Sequence, residues 1–229
     1  MKLLAIGAHP DDLEIYLFGT LAVARARGDE LVLAIATDGA AGGQGSAERL
    51  RTTRRAEATT AAALLDAEPR CLDFPDGTLV ADAALVGALR TLIRDARPDL
   101  VLTHAPNDYH GDHRALADAV RIAANFAAPV AHVDTMMGVG FLPTHLVDVT
   151  AHMALKRAAI LAHASQDPAR FVAMVERQNG FRAAQAGVPE GYAEAFRFEP
   201  LYPFADIRDL LPPPPRPVPV RDRRATPEA

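Results

Sequence analysis

Two apolar runs in this chain each break abruptly into imidazoles and carboxylates, and this feature most limits what it can fold into. Leu3-Leu4-Ala5-Ile6 gives way to Gly7-Ala8-His9-Pro10-Asp11-Asp12, and Leu100-Val101-Leu102-Thr103 gives way to a segment running from His104 to His113. A short, continuously apolar run reads as a strand covered on both faces, as in parallel sheets. Open α/β sheets bind their ligands just outside the carboxyl ends of such strands. Both reactive segments are therefore expected at one end of one sheet.

The rest of the chain supplies the elements that such a sheet needs. Residues 13–27 place Leu13, Leu17, Leu21 and Ala24 on one helical face, and Gly28 stops the helix before a second apolar strand at 31–36. Strand, helix and strand then form a right-handed parallel unit. Helices are expected at 47–65, at 83–96 with Asp82 as cap, and at 114–125, 151–164 and 170–186. Further strands are expected at 69–74, 99–103, 130–133 and 145–148, with a turn at Pro75-Asp76-Gly77. The expected fold is a three-layer α/β domain with a mainly parallel sheet. Residues 1–211 are expected to form a single α/β domain, with the reactive segments in it, followed by a Pro/Arg-rich extended tail at 212–229. The segment 37–46 holds four glycines but lacks both a Lys-Ser/Thr ending and a G-x-G-x-x-G register, so it reads as a flexible substrate-side loop.

Composition narrows the classes of function. Lys and Arg number 24 against 29 Asp and Glu, a net charge of −5 with no basic block in the body, which argues against a nucleic-acid partner. Cys71 is the one cysteine, so an internal disulfide framework and a Cys-based zinc cluster are excluded. It reads as buried filler in a reducing compartment. No charged-then-apolar leader and no run of about 20 apolar residues is present, so the expectation is a cytoplasmic protein without a membrane partner.

The reactive segments themselves match the needs of a divalent metal. A catalytic zinc-type site takes two or three imidazoles and a carboxylate, and keeps a position open for water. His9 and Asp12 are three apart on a tight turn, a spacing that brings both to one ion while Asp11 points elsewhere. His110 and His113 are likewise three apart, with Asp112 between them. A single His-x-x-Asp is ordinarily a cap or a solvated turn. Two such clusters, each following an apolar strand of one sheet, are hard to explain that way. The remaining candidates have plainer readings: Asp38 and Asp76 as turn residues, Asp108 and Tyr109 as loop polarity, and His163 as a helix-end cap. His104, His132, His145 and His152 read as structural or surface residues.

As a set, the motifs resemble the LmbE-like (PIG-L) family of zinc-dependent N-deacetylases. They are His9-Pro10-Asp11-Asp12, Arg54-x-x-Glu57, Phe74-Pro75-Asp76-Gly77, His110-x-x-His113, His163-Ala-Ser-Gln166 and Tyr192-Ala-Glu-Ala-Phe196. The resemblance implies a Rossmann-like, LmbE-type deacetylase core without a nucleotide fingerprint. It implies Zn2+ (with Fe2+ or another divalent metal compatible) on His9, Asp12 and His113, and Asp11 as general base. His110 would stabilise the charged intermediate or protonate the leaving amine. Arg54 would hold substrate, with Arg51 and Arg55 close enough to compete for that role, and Asp112 would hydrogen-bond a histidine ring N–H. The implied partner is a small N-acylated sugar, and a homo-oligomer stays open. Two rivals remain. Two histidines and a carboxylate also serve non-haem iron oxygenases, although those sites are typically built on β-barrels. A catalytically silent sugar- or nucleotide-binding member of the same fold would have little reason to keep Asp11.

Overall fold

Alternation along the first strand sets the layering. In β1 (Lys2–Gly7), Leu3 and Ala5 belong to one apolar core while Leu4 and Ile6 belong to the other, as the two-residue period of a strand requires. The computed structural model describes residues 1–216 apart from 208. The strands that follow are β2 (Glu30–Thr37), β3 (Pro69–Phe74), β4 (Leu100–Thr103), β5 (Val130–Val133), β6 (His145–Asp148) and β7 (Ala193–Phe198). They form one sheet in the order β3-β2-β1-β4-β5-β7-β6. β1 through β5 pair in parallel, and β7 runs antiparallel between β5 and β6. The mainly parallel three-layer sheet expected from the sequence is the one found.

The helices are α1 (Asp12–Tyr16), α2 (Phe18–Ala26), α3 (Ala47–Ala63), α4 (Ala83–Ala96), α5 (Gly111–Ala124), α6 (Met153–Leu161) and α7 (Pro168–Gln185). Leu85, Leu89 and Ile93 of α4 and Leu116 and Val120 of α5 cover one face. Leu21 of α2, Ala61 of α3, Ile160 of α6 and Val175 of α7 cover the other. Strand order runs outward from β1 in both directions, first to β2 and β3 and then to β4 and β5. The carboxyl ends of β1 and β4 thus flank a topological switch point. None of the described helices is long and apolar enough to cross a membrane.

Four local expectations are corrected. The helix expected over 13–27 breaks at Leu17 (φ −144°, ψ 10°), and the break frees the first amides of α2 for Glu194 on β7. The Glu194 carboxylate accepts from Gly19 N at 3.0 Å and Thr20 N at 2.7 Å and pairs with the Lys156 ammonium of α6. β7 was not expected as a strand. It carries the antiparallel pairing, and its Glu194 is buried beneath the α2 N-terminus. α5 begins at Gly111 rather than 114, with His110 as its N-cap, which puts Asp112 and His113 on the first turn. Cys71 is only partly buried, because β3 is an edge strand. At the other end of the chain, Leu211, Pro212 and Pro215 are buried and Pro213 O accepts from Asp148 N at 3.1 Å. The Pro-rich stretch thus starts out against the body, and 217–229 of the expected tail lie outside the described residues.

Burial lowers the Lys156 pKa against the opposing pull of Glu194, so each charge depends on the other. Removing one partner of such a buried pair costs about 3–5 kcal/mol. Glu194→Ala, which also orphans two amides of α2, is expected to lower unfolding free energy in urea by that amount. Lys156→Met should cost less, because Gly19 and Thr20 still serve the carboxylate. Equal and negligible losses would contradict the assignment.

Candidate active site

The turn after β1 and the first turn of α5 bring His9, Asp12 and His113 together, all three buried. His9 Nδ1 lies 3.3 Å from Asp12 Oδ2 and 3.3 Å from His113 Nε2, and His113 Nε2 lies 3.3 Å from Asp12 Oδ1. Ligands about 2.0–2.1 Å from a tetrahedral zinc stand roughly 3.3–3.4 Å from one another. Each pair of residues already has that spacing, with Asp12 meeting His9 through Oδ2 and His113 through Oδ1. The triplets His9, His110 and His113, and Asp12, His104 and His113, also bring donor atoms within 4.8 Å of one another.

Carboxylates behind the rings decide which nitrogens face inward. His9 Nε2 is 3.1 Å from Asp76 Oδ1 and 3.2 Å from Asp112 Oδ2, and His113 Nδ1 is 3.0 Å from Asp108 Oδ1. Those nitrogens carry the protons, which leaves lone pairs on His9 Nδ1 and His113 Nε2 directed at the Asp12 carboxylate. Three acceptors so close repel unless positive charge lies among them. Burial opposes charging His9, but Asp12, Asp112 and Asp76 outweigh it and push the imidazole up to about 12. His113 is pushed up to about 9 in the same way, with Asp12 and Asp108 outweighing burial. Burial disfavours the ionised form of Asp12 too, yet His113, His104 and His9 hold it well below the usual carboxylate range. The cluster therefore favours positive charge among its donors, and two imidazoles with a carboxylate fit a divalent metal.

Asp11 lies beside this cluster in a backbone conformation (φ 142°, ψ −17°) that residues other than glycine rarely adopt. Burial and the neighbouring Asp12 raise its pKa to about 7 against the lowering effects of Arg54, His163 and His9. His110 accepts from Asp112 N at 3.2 Å through Nδ1, so in the neutral ring the proton is on Nε2. Its ring stands edge-on to His9 with centroids 4.7 Å apart. Asp112, besides meeting His9, accepts from Gly77 N at 2.7 Å and Leu79 N at 3.1 Å. Of the three arginines considered, Arg54 alone lines the pocket. Arg51 is bound to Asp38 (3.0 and 2.6 Å) and Arg55 to Asp73, both at the surface.

Several functional neighbours escaped the sequence reading. His104 is buried, stacked on His113 with centroids 3.7 Å apart, and its Nε2 is 3.1 Å from both Ala8 N and Asp12 Oδ2. Burial and the nearby His113 lower its pKa to about 4, so it is neutral here. Asp76, taken as a turn residue, backs His9, and Asp108, taken as loop polarity, backs His113. Tyr16 is buried edge-on to His104 and His113 at 5.3 and 5.8 Å, and its hydroxyl has no partner. A usable signal existed for His104 and Asp76: each follows closely on the carboxyl end of a parallel strand, as His9 does. His163 Nε2 is 3.3 Å from Glu14 Oε2, and Gln166 Nε2 donates to Gly42 O at 2.9 Å, so the 163–166 turn closes one side of the pocket.

The chain is similar to known proteins over most of its length. The family model described as PIG-L, GlcNAc-PI de-N-acetylase, matches residues 4–124. Diacetylchitobiose deacetylase of Thermococcus kodakarensis is 32% identical over 234 residues, covering 90% of this chain and 88% of that protein. The structure of N,N'-diacetylchitobiose deacetylase from Pyrococcus horikoshii matches with a TM-score of 0.77 at 26% identity, covering 91% of this chain and 88% of that one. GalB, the 4-carboxy-2-hydroxymuconate hydratase of Pseudomonas putida KT2440, matches with a TM-score of 0.76 at 22% identity, covering 86% and 95%. This last likeness is one of fold alone.

If the inward lone pairs hold the metal, the carboxylates behind the rings should tune its binding. Asp76→Ala, Asp108→Ala and Asp112→Ala are each expected to weaken zinc about 10- to 100-fold in chelator competition. His9→Ala, Asp12→Ala and His113→Ala should weaken it further. Wild-type affinity in the His9 or His113 variant would rule out this ligand set.

Proposed function

The chain belongs to the PIG-L family, and from that membership we propose that it is a metal-dependent N-deacetylase. Its substrate would be an N-acetylated amino sugar or a related small glycoside, hydrolysed at the acetamide to the free amine and acetate. Because a hydratase shares the fold, the fold by itself does not choose the reaction, and the site must. The observation that carries the reading is the juxtaposition of His9, Asp12 and His113, with donor atoms 3.3 Å from one another pairwise, and one further carboxylate, Asp11, in the same pocket.

His9, Asp12 and His113 would hold the metal. Zinc bound there supplies a Lewis acid for the amide carbonyl and lowers the pKa of a water towards ~7. Asp11 accepts the proton that water loses as its oxygen bonds to the carbonyl carbon. Its raised pKa suits a base working near neutrality, and its partner Arg54 lies at 3.3 Å. That proton then passes from Asp11 to the departing nitrogen as the C–N bond breaks. His110, with Nδ1 occupied by the Asp112 amide, keeps its proton and offers Nε2–H as a hydrogen-bond donor to the charge developing on the carbonyl oxygen. Tyr109 and Phe171 offer aromatic surface at the pocket to the apolar face of a sugar.

A panel of N-acetylated amino sugars, assayed for acetate on metal-analysed protein, tests the reading. Turnover by the holoenzyme should be abolished by a chelator and restored by zinc. Asp11→Asn should lower kcat by about 10²–10⁴-fold with zinc content unchanged. Full turnover in that variant would remove Asp11 as the base, and chelator-resistant turnover would remove the metal.

A further inference from the structure

Arg54 is 3% exposed, and both of its terminal nitrogens meet oxygens of the chain. Nη2 donates to Pro10 O at 3.0 Å and lies 3.3 Å from Asp11 Oδ1, so one nitrogen holds both the peptide entering Asp11 and the Asp11 carboxylate. Nη1 donates to Gly39 O at 3.0 Å and lies 3.6 Å from Asp76 Oδ2, whose other oxygen is 3.1 Å from His9 Nε2. Nε has no partner and is shut off from solvent.

The Gly-rich loop keeps the guanidinium in place. A Cβ on Gly42 would lie 2.0 Å from Nη1, and one on Gly39 3.2 Å from it, so glycine at these positions lets the loop backbone close on the side chain. Gln166 then fastens Gly42 through its carbonyl. An arginine meant to reach for substrate would keep a mobile or solvent-facing end. This one lies in the pocket wall with 3% of its surface exposed and has protein oxygens on both terminal nitrogens.

We infer that Arg54 is a positioning residue that holds the strained Asp11, and Asp76 behind His9, in fixed relation to each other rather than gripping the substrate. A non-glycine residue at φ 142° persists only where its surroundings over-determine it. Arg54 supplies that constraint from the Pro10 carbonyl on one side and the Asp11 carboxylate on the other. The same guanidinium ties the proton acceptor to the carboxylate that orients a metal ligand, so the geometry of both depends on one side chain. The inference rests on the reading of Asp11 as the base.

Two double-mutant cycles on the full chain test it. In the kinetic cycle, Arg54→Lys should lower kcat about 10- to 100-fold with KM little changed. Adding Arg54→Lys to Asp11→Asn should cost less than about twofold more, since the group being positioned is already disabled. A raised KM with kcat preserved, or fully additive losses, would overturn the inference and return Arg54 to substrate binding. The second cycle needs no turnover. Arg54→Met should lower the urea midpoint by leaving the buried Asp11 carboxylate unpaired, and Asp11→Asn in that background should restore part of the loss. No restoration would overturn the proposed contact. Absence of any deacetylase activity in the wild type would instead count against the proposed function, with the denaturation cycle still reading Arg54 and Asp11.

Discussion

The Asp12 carboxylate stands 3.3 Å from His9 Nδ1 through one oxygen and 3.3 Å from His113 Nε2 through the other, with the two nitrogens 3.3 Å apart. As lone pairs these groups repel one another unless positive charge lies among them, and the architecture around them serves to hold them together. Imidazoles free to rotate would relieve that repulsion by turning a protonated nitrogen inward. Asp76 and Asp112 behind His9, and Asp108 behind His113, prevent the turn by engaging the outer nitrogens. Backbone amides hold these carboxylates in turn: Gly77 and Leu79 donate to Asp112, and His110 N donates to Asp108. The cluster is thus built in shells, with the peptide backbone as the outermost and stiffest.

The sheet explains why the shells meet. β1 and β4 are neighbours at the point where strand order reverses, so the loops leaving them open into one crevice without any long excursion. His9 and Asp12 come from the first loop, and His104, Asp108, His110 and His113 come from the second loop and the helix it starts. β3 brings Asp76 in from two strands away. On the opposite side of the crevice, α3 delivers Arg54 beneath the Gly-rich loop. The break at Leu17 belongs to the same economy of backbone amides: a helix running unbroken would bury Gly19 and Thr20 N–H in its own ladder and leave the Glu194 carboxylate without these two donors.

What the sequence makes legible follows from how local each signal is. His9 with Asp12 and His110 with His113 are spaced within single turns, next to unmistakable apolar strands, so the primary cluster can be read directly. The carboxylates behind His9 are paired across long separations, such as the 103 positions from His9 to Asp112. Short-range spacing cannot show which carboxylate meets which ring, so Asp76 and Asp108 look like ordinary loop residues. His104 hides for a related reason, since one histidine after one strand has no second signal until its ring is seen against His113. β7 was missed because Ala193–Phe198 mixes Glu194 and Arg197 into its apolar residues, and the meaning of that glutamate depends on Gly19, Thr20 and Lys156 far away. The Arg-rich face of α3 illustrates the same limit. Arg51, Arg54 and Arg55 are equivalent in composition, and only packing under Gly39 and Gly42 distinguishes the middle one.

The most direct test of the central claim is crystallography at the zinc absorption edge on zinc-loaded protein. The account predicts one anomalous peak about 2.0–2.2 Å from His9 Nδ1, an Asp12 carboxylate oxygen and His113 Nε2. A peak instead on the outer side of His9, between Nε2, Asp76 and Asp112, or no ordered ion at either place, would contradict it.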